Sequence, residues 1–242
     1  MNTAKTVLIT GANKGIGYET ARQMGALGYT VLMGSRSEAR GREAAESLRQ
    51  EGIKAQFILL DLTQQATIEA AAAQIEQDFG RLDVLINNAG ISLGGGVSPS
   101  QLKLSDLIET YETNIFGTIA VTQALLPLLL ASSAGRIVNL SSGLGSLTYN
   151  SDPDHEHAAF NLLAYNSSKA ALNAATIMFA KEFKHTPLKI NSADPGFTAT
   201  DLNGFTGPRT VKQAADVIIR LATLPEDGPT GGFFAENGEV PW

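Results

Sequence analysis

The stretch Thr6-Val7-Leu8-Ile9-Thr10-Gly11-Ala12-Asn13-Lys14-Gly15-Ile16-Gly17 decides the fold of this 242-residue chain. Its first five residues form a short, largely apolar, β-branched run, which is typical of a strand buried on both faces of a parallel sheet. Three glycines follow, spaced Gly-x-x-x-Gly-x-Gly, and a helical pattern continues to about Leu27. This order predicts an anion site, because glycines admit a pyrophosphate to the backbone and a helix start offers unpaired N–H groups. A plain strand-to-helix turn is the alternative, and three glycines directly after a buried strand disfavour it.

The remainder of the chain alternates between strand and helix patterns. Further strands are predicted at residues 29–34, 55–60, 83–86, 136–140, 188–192 and 231–235, and helices at residues 38–51, from about 64, and at 102–131, 164–184 and 211–224. Pro127 is expected to bend or restart the long helix that contains it. Such alternation predicts right-handed βαβ crossovers. We therefore predict an α/β fold of the Rossmann type, with a doubly wound, mostly parallel, seven-stranded sheet and helices on both faces, in one domain over residues 1–242.

The second predicted strand ends in Ser35 and Arg36, where a dinucleotide-binding fold meets the adenosine ribose. An acidic residue there would accept a hydrogen bond from the 2′-hydroxyl of NAD and repel a 2′-phosphate. The cationic Arg36, with Lys14 in the adjacent loop, instead matches a phosphate that carries about −1.5 to −2 charges. We therefore predict NADP(H) as the cofactor. Arg36 as a solvated charge at a strand end is the alternative, and the missing acid still disfavours NAD.

Small and polar residues follow the other predicted strands at their carboxyl ends, where open α/β sheets bind ligands. Asp61, after the third strand, is placed either to accept from an adenine amino group or to cap the next helix. The fourth strand runs into Asn87-Asn88-Ala89-Gly90, whose small residues would let the backbone approach a cofactor. Ser141-Ser142 follows the fifth strand, and the turn at residues 194–200, after the sixth, is placed to fold over a nicotinamide.

Tyr165 and Lys169 lie four residues apart in a predicted helix, so their side chains share one face. A lysine charge about 4 Å away, at an effective dielectric constant of about 20, favours a phenolate by roughly 4 kcal/mol. We therefore expect Lys169 to lower the pKa of Tyr165 from its ordinary value of about 10 towards neutrality, where acid/base catalysis is most effective. Such pairs also occur on many ordinary helices. This one gains weight from the glycine loop, Asn114 and Ser142.

Bulk composition narrows the possible classes of function. The formal net charge is −6 and the pI about 5.1, whereas nucleic-acid binding requires a basic footprint. Cysteine is absent, which excludes disulfides, thiol nucleophiles and cysteine-bound metals. The N-terminal apolar run is too short for a signal peptide, and the longest uninterrupted one, near residues 125–131, is far below the roughly 20 residues that span a bilayer. We expect a cytoplasmic enzyme that binds neither nucleic acid nor membrane.

In this order the motifs resemble those of the short-chain dehydrogenase/reductase superfamily over nearly the whole chain, and most of all those of its NADPH-dependent carbonyl reductases. The resemblance implies that Tyr165 is the acid/base and Lys169 its electrostatic partner and ribose clamp. It implies that Ser142 donates to the substrate carbonyl and that Asn114 anchors a proton-relay water. Together with the residues argued above, the predicted cofactor contacts are Gly11, Asn13, Lys14, Gly15, Ile16, Gly17, Ser35, Arg36, Asp61, Leu62, Asn88, Ala89, Gly90, Tyr165, Lys169, Pro195, Gly196, Thr198 and Thr200.

One departure from the family pattern is a longer spacing between Ser142 and Tyr165. The extra segment, residues 149–160, contains Asp152-Pro153-Asp154-His155-Glu156-His157. In the carbonyl reductases such insertions are linked to loss of the usual helix-to-helix assembly, so a monomer and a homo-oligomer both stay open. The i, i+4 zinc motif is missing from this segment. We therefore expect no metal, and a polar surface loop beside the substrate cleft.

The preferred interpretation is an NADPH-dependent oxidoreductase that reduces a ketone or aldehyde to an alcohol by hydride transfer, with Tyr165 as proton donor. One alternative is an NAD-dependent alcohol dehydrogenase, which the Ser35-Arg36 strand end disfavours. Another is a non-catalytic NADP(H)-sensing protein, which has no need of a tuned phenol, and a nucleotide-sugar epimerase is weaker because little chain follows Pro195. A substrate lid is expected at residues 197–212. The expected pocket walls are largely apolar and indicate a hydrophobic carbonyl compound: Leu93, Leu144, Leu147, Phe197, Phe205 and Trp242.

Overall fold

The strands join into one sheet in the computed structural model, which describes residues 4–242. They are β1 (Thr6–Thr10), β2 (Thr30–Ser35), β3 (Ala55–Leu59), β4 (Val84–Asn87), β5 (Arg136–Leu140), β6 (Lys189–Ala193), β7 (Phe233–Ala235) and β8 (Gly238–Glu239). Their order is β3-β2-β1-β4-β5-β6-β7-β8, in which β1 to β7 pair in parallel and β8 turns back against β7. The predicted mostly parallel, doubly wound sheet is confirmed. The predicted count of seven strands is one too low, because β8 has only two residues and leaves no periodic pattern.

Helices cover both faces of this sheet, as predicted. In the described part of the chain the α-helices are α1 (Gly15–Ala26), α2 (Glu38–Gln50), α3 (Gln65–Phe79), α4 (Leu104–Tyr111), α5 (Thr118–Leu130), α6 (Leu147–Ser151), α7 (Leu163–Glu182) and α8 (Val211–Ala222). Side chains alternate along a strand, so Val7 and Ile9 of β1 pack into one core and Leu8 into the other. The first core is closed by α1, α2 and α8, and the second by α3, α5 and the end of α7.

The strand order reverses between β1 and β4. From β1 the chain runs to β2 and β3 on one side, and from β4 it runs to β5, β6 and β7 on the other. Connections that leave two neighbouring strands in opposite directions open a crevice at the carboxyl edge of the sheet. The glycine loop after β1 and the turn Asn87-Asn88-Ala89-Gly90 at the end of β4 lie on either side of that crevice, and they position the candidate site.

A π-helical turn, not a proline, interrupts the long helical stretch Leu104–Leu130. Glu112–Gly117 forms the π-turn between α4 and α5, and Pro127 lies inside α5 without ending it, so the expected restart at Pro127 is wrong. A β-carbon on Gly117 would collide with the carbonyl oxygen of Leu62, so only glycine lets the π-turn pack on the loop after β3. The stretch Leu104–Leu130 is long and apolar enough to cross a membrane, yet half of it is buried inside the protein. Core helices meet the same criterion.

Arg136, the first residue of β5, joins three segments beneath the sheet. Its side chain is buried, and the guanidinium donates to the carbonyl oxygens of Leu224 at 2.8 and 3.0 Å, Pro225 at 3.1 Å and Pro187 at 3.1 Å. Burial lowers the pKa of Arg136, but an arginine stays charged in proteins. Carbonyl dipoles therefore replace the water that this charge has lost, and they fix the loop after α8 against the start of β5.

We predict that Arg136→Met destabilises the fold by roughly 2–4 kcal/mol, because it leaves several inward-facing carbonyls without a donor. Urea unfolding followed by circular dichroism would show a lower midpoint. The matched control is Lys181→Met, at an exposed position in the last turn of α7, which should change stability by no more than about 0.5 kcal/mol. Equal midpoints for the two variants would contradict the assigned role of Arg136.

Candidate active site

The glycine loop after β1 forms a cradle that only glycine fits. A β-carbon on Gly17 would lie 2.5 Å from Asn88 Nδ2 and 2.6 Å from the carbonyl oxygen of Gly11. Gly11 and Gly15 have φ angles of 65° and 59°, in the left-handed region that favours glycine. α1 begins at Gly15, and no side chain caps its first turn. The loop thus presents an uncapped helix start to the crevice, which fits a pyrophosphate.

Asn88 fastens the turn after β4 onto the end of β1. Its amide donates to the carbonyl oxygens of Thr10 at 2.7 Å and Gly11 at 3.2 Å. In return the Thr10 hydroxyl accepts from the backbone N–H groups of Asn88 at 3.0 Å and Ala89 at 2.9 Å. These four hydrogen bonds therefore join the turn after β4 to the loop after β1 across the crevice.

At the expected adenosine-ribose end, Arg36 is a cation free to bind a ligand. It is exposed and has no hydrogen-bond or ion-pair partner among residues 4–242, and it lines an open cavity with Thr63 and side chains of α4 and the π-turn. Ser35 is buried, and its hydroxyl both donates to the carbonyl of Ser37 and accepts from the N–H of that residue. Ser35 therefore shapes the turn and offers no free hydroxyl to a ribose phosphate, in contrast to the expectation of a direct contact.

Lys14 differs from expectation in having a partner. Its ammonium lies 3.0 Å from the carboxylate of Asp201, and both side chains are about half exposed. Asp201 opens a short 3₁₀ turn in the predicted lid, so this ion pair joins the phosphate loop to the lid. Arg40, in the first turn of α2, is a further exposed cation without a partner in the described residues. The sequence analysis overlooked Arg40, although the charge sits only four positions after Arg36.

Asp61 chiefly stabilises its own turn. One carboxylate oxygen accepts from the backbone N–H of Thr63 at 3.0 Å and from its hydroxyl at 2.9 Å. Gln64, not Asp61, is the N-cap of α3, so the helix-capping alternative is wrong. The other carboxylate oxygen has no partner in the described chain, and contact with an adenine amino group stays a prediction. Leu62 is buried beside Gly117.

Asn114 lies in the π-turn, and its side chain makes three hydrogen bonds to the protein. Its Oδ1 accepts from the N–H of Ile91, and its Nδ2 donates to the carbonyl of Ile91, each at 2.9 Å. The same Nδ2 donates to the Ser168 hydroxyl at 3.0 Å. The amide therefore ties the loop after β4 to α7. Oδ1 can accept one more hydrogen bond, and the role of Asn114 as anchor of a relay water stays a prediction.

Lys169 is a buried cation that uses one of its three ammonium protons within the described residues. Only 4% of its surface is exposed, and its ammonium donates to the carbonyl of Leu140 at 2.7 Å. A β-carbon on Gly90 would lie 3.5 Å from this ammonium and 3.3 Å from Asn114 Oδ1. The remaining two ammonium protons have no partner in residues 4–242. They are suited to the hydroxyls of a ribose that approaches over Gly90.

Ser142 and Tyr165 meet beside this lysine, as the resemblance implies. The Ser142 hydroxyl accepts from the N–H of Leu144 at 3.2 Å and lies close enough to the Tyr165 phenol to favour the phenolate. Part of the Tyr165 ring still faces solvent. The protein packed around the phenol nevertheless makes a phenolate costly, and this burial, reinforced by the charge of Asp194, raises the pKa of Tyr165 above its ordinary value.

The expected net lowering of the Tyr165 pKa is therefore wrong for the protein without ligands, because burial and the charge of Asp194 prevail. The ammonium lies 5.5 Å from the centre of the tyrosine ring and points to Leu140, not to the phenol oxygen. Burial also lowers the pKa of Lys169 to about 8. The sequence placed both groups on one face correctly, but it could not show how far burial opposes their charged forms.

The turn after β6 closes the far end of the cleft. Thr198 is buried, and its hydroxyl donates to the carbonyls of Pro195 at 3.2 Å and Gly196 at 3.0 Å. Thr200 packs its methyl group 3.7 Å from the position of a Gly15 β-carbon, so the turn reaches the phosphate loop. Arg209, which the sequence analysis overlooked, lies against Gly196 and donates to the Pro195 carbonyl at 3.1 Å.

The expected apolar walls are only partly gathered at the cleft. Phe197 is exposed and packs against Phe160, with 6.2 Å between the ring centres. Phe205 is exposed on the lid, and its φ of 62° is unusual for a residue other than glycine. Leu147 is also exposed, whereas the Trp242 ring stacks on Phe233 at 5.6 Å. Trp242 thus anchors the chain end to the sheet.

The chain resembles known proteins along most of its length. A family model described as short chain dehydrogenase matches residues 5–209. (-)-Isopiperitenone reductase from Mentha piperita is 36% identical over 302 aligned positions, which cover 95% of this chain and 96% of the relative. The alignment is longer than this chain, so the relative carries segments that have no counterpart here.

Solved structures give the same likeness. Salutaridine reductase from Papaver somniferum matches with a TM-score of 0.83 at 30% identity, over 96% of this chain and 99% of that one. A short chain dehydrogenase from Escherichia coli, complexed with NADPH, matches with a TM-score of 0.82 at 29% identity, over 96% of this chain and 95% of that one.

We predict that Gly17→Ala weakens dinucleotide binding at least about ten-fold, because the added methyl group must displace Asn88 or the Gly11 carbonyl from the cradle. Isothermal titration with NADPH and NADH would measure it. Gly95→Ala is the control, since a β-carbon on Gly95 meets no atom within 4 Å and its φ is not in the left-handed region. Unchanged affinity in Gly17→Ala would show that the cradle does not hold the nucleotide.

Proposed function

The chain belongs to the short-chain dehydrogenase family, and we propose that it is an NADPH-dependent oxidoreductase that reduces a ketone or aldehyde to an alcohol. The observation that carries the proposal is the meeting of Ser142, Tyr165 and the buried Lys169 at the carboxyl edge of the sheet. These three groups lie beside the crevice that the glycine cradle opens.

The dinucleotide fits the residues present. The glycine cradle would take the pyrophosphate, the two unused protons of Lys169 would take ribose hydroxyls over Gly90, and Arg36 would face a 2′-phosphate. The absence of an acidic residue at the end of β2 favours NADP(H) over NAD(H). The similar structure complexed with NADPH supports the same choice. When bound, the nicotinamide supplies the hydride.

Tyr165 holds the proton that the product alcohol needs. Because its pKa is raised, the phenol stays protonated at neutral pH and is ready to donate as an alkoxide develops. Ser142 donates a second hydrogen bond to the same oxygen, and such a preplaced donor acts where charge develops. After the transfer, the Ser142 hydroxyl also stabilises the phenolate that remains.

Lys169 supports this transfer by its charge. With a pKa of about 8 it is mostly protonated at neutral pH, and its ammonium over the tyrosine ring favours the phenolate as the phenolate forms. A protonated tyrosine next to a cation suits proton donation better than proton abstraction. The arrangement therefore supports reduction as the working direction near neutral pH.

The substrate class follows from the cleft and from the relatives. Phe160, Phe197 and Leu147 are exposed apolar side chains in the segments between Ser142 and α7 and after β6, and such apolar surface favours a hydrophobic carbonyl compound. The relatives named above are reductases of isopiperitenone and salutaridine. An NAD-dependent alcohol dehydrogenase is disfavoured by the free Arg36, and a non-catalytic sensor of NADP(H) by the intact pairing of Ser142 with Tyr165.

We predict that Tyr165→Phe lowers NADPH-dependent carbonyl reduction about 10²–10⁴-fold, because the variant has no proton to give. Its affinity for NADPH should stay close to that of the wild type. Steady-state NADPH oxidation measures the rate of reduction, and titration calorimetry measures the affinity for NADPH. Tyr18→Phe is the control, since that hydroxyl donates to Ser47 of α2 at 2.9 Å. Near-normal turnover in Tyr165→Phe would remove Tyr165 from the acid role.

We predict that Arg36→Ala weakens NADPH binding about 10–100-fold and leaves NADH binding nearly unchanged, because only NADPH carries the 2′-phosphate that a guanidinium would bind. Separate titrations with the two nucleotides measure this. Arg42→Ala is the control: Arg42 is an exposed arginine whose partner is Glu38. Equal weakening of both nucleotides would show that Arg36 does not read the phosphate.

A further inference from the structure

The segment at residues 149–160 brings an imidazole into the catalytic cleft. Nε2 of His157 is so close to Gly143 that a β-carbon on this glycine would collide with it. The carboxylate oxygen Oδ2 of Asp194 lies 3.0 Å from that same β-carbon position. Gly143 directly follows Ser142, and neighbouring Cα atoms are about 3.8 Å apart. His157 and Asp194 therefore converge within about one residue length of the serine proposed to bind the substrate carbonyl.

Hydrogen bonds and ring contacts from neighbouring residues hold His157 in position. Nδ1 of His155 accepts from the backbone N–H of His157 at 3.2 Å, and the His155 ring stacks on Tyr149, with 3.9 Å between centres and 14° between planes. The His157 ring stands edge-on to both. Asn150 binds this segment to the catalytic region, because its side chain donates to the Leu144 carbonyl at 2.8 Å and accepts from Asn166 of α7 at 3.0 Å.

The side chains of His157 and Asp194 keep polar atoms free. His155 and Tyr149 supply packing, but neither ring nitrogen of His157 has a hydrogen-bond partner within residues 4–242, and the ring is partly exposed. Oδ1 of Asp194 accepts from the N–H of Gly196 at 2.9 Å, while its Oδ2 has no partner in the described chain. The other charged group of this region, Lys169, points away to Leu140. A free imidazole and a free carboxylate oxygen thus face one gap.

We propose that His157 donates a hydrogen bond to a second oxygen of the substrate, next to the carbonyl bound by Ser142 and Tyr165, and that Asp194 accepts from that oxygen where it is a hydroxyl. This assigns the preferred substrates to hydrophobic carbonyl compounds with an oxygen on the adjacent carbon, as in α-diketones and α-hydroxyketones. The choice of the adjacent carbon follows from the chain, because the imidazole lies against Gly143, the residue directly after Ser142. The inference rests on the proposed carbonyl reduction and names its substrate class.

The test compares two ketones that differ only in the second oxygen: 1-phenyl-1,2-propanedione and propiophenone. The wild type should show a kcat/KM for the diketone at least about ten-fold above that for propiophenone. His157→Leu should lose at least about ten-fold on the diketone and change less than about two-fold on propiophenone, since only the diketone loses a partner. His157→Asn, which keeps a donor, should recover part of the loss. His185→Gln, at an exposed site near the opposite end of α7, should change neither value.

A binding measurement tests this inference independently of the proposed function. Titration of the diketone into the enzyme with NADP⁺ needs no turnover, and His157→Leu should weaken this binding at least about ten-fold while NADPH affinity stays the same. Absence of turnover on every carbonyl tried would overturn the proposed function, and diketone binding would still decide the role of His157. Equal losses on both ketones, no loss on either, or equal binding of both ketones to the wild type would overturn the inference.

Discussion

The hydrogen bonds between Asn88 and the end of β1 are the constraint on which the rest of the site depends. The strand order reverses at this point, so the two loops would separate without a tie across the crevice. Asn88 and Thr10 supply it with four hydrogen bonds. Because the tie pulls Asn88 against Gly17, a side chain there has no room. The glycine cradle and the turn that leads to Gly90 therefore hold each other in position.

Burial of Lys169 is the second organising feature, and it has an energetic cost. Lys169 has no acidic partner within residues 4–242, so its burial costs hydration and its pKa falls to about 8. The Leu140 carbonyl compensates for only part of that loss. An ammonium held in this way binds any hydroxyl that reaches it more strongly than an exposed lysine would. The burial that opposes its charge also prepares it for a ribose.

The elements of the site divide into a general part and a part particular to this chain. The cradle, Ser142, Tyr165 and Lys169 are what the family resemblance implies. The short segment with Tyr149, His155 and His157 and the charge of Asp194 set the polarity next to the reacting groups. Proton transfer would depend on the first part, and the choice of substrate on the second. The relatives carry segments that this chain lacks, so we expect this chain to differ from them in the substrates that it recognises.

The sequence by itself determined the sheet architecture and the shared face of Tyr165 and Lys169, because apolar periodicity and helical spacing are local properties of the chain. It also indicated the glycine cradle, since three glycines after a buried strand have few other uses. It could not reveal that Asn114 binds Ile91 and Ser168, that Asp201 pairs with Lys14, or that His157 reaches Gly143, because residues far apart in the chain make these contacts. Nor could it give the direction of the Tyr165 pKa shift. Only the tertiary structure decided that, because burial depends on everything packed around the phenol and not on its neighbour four residues along the helix.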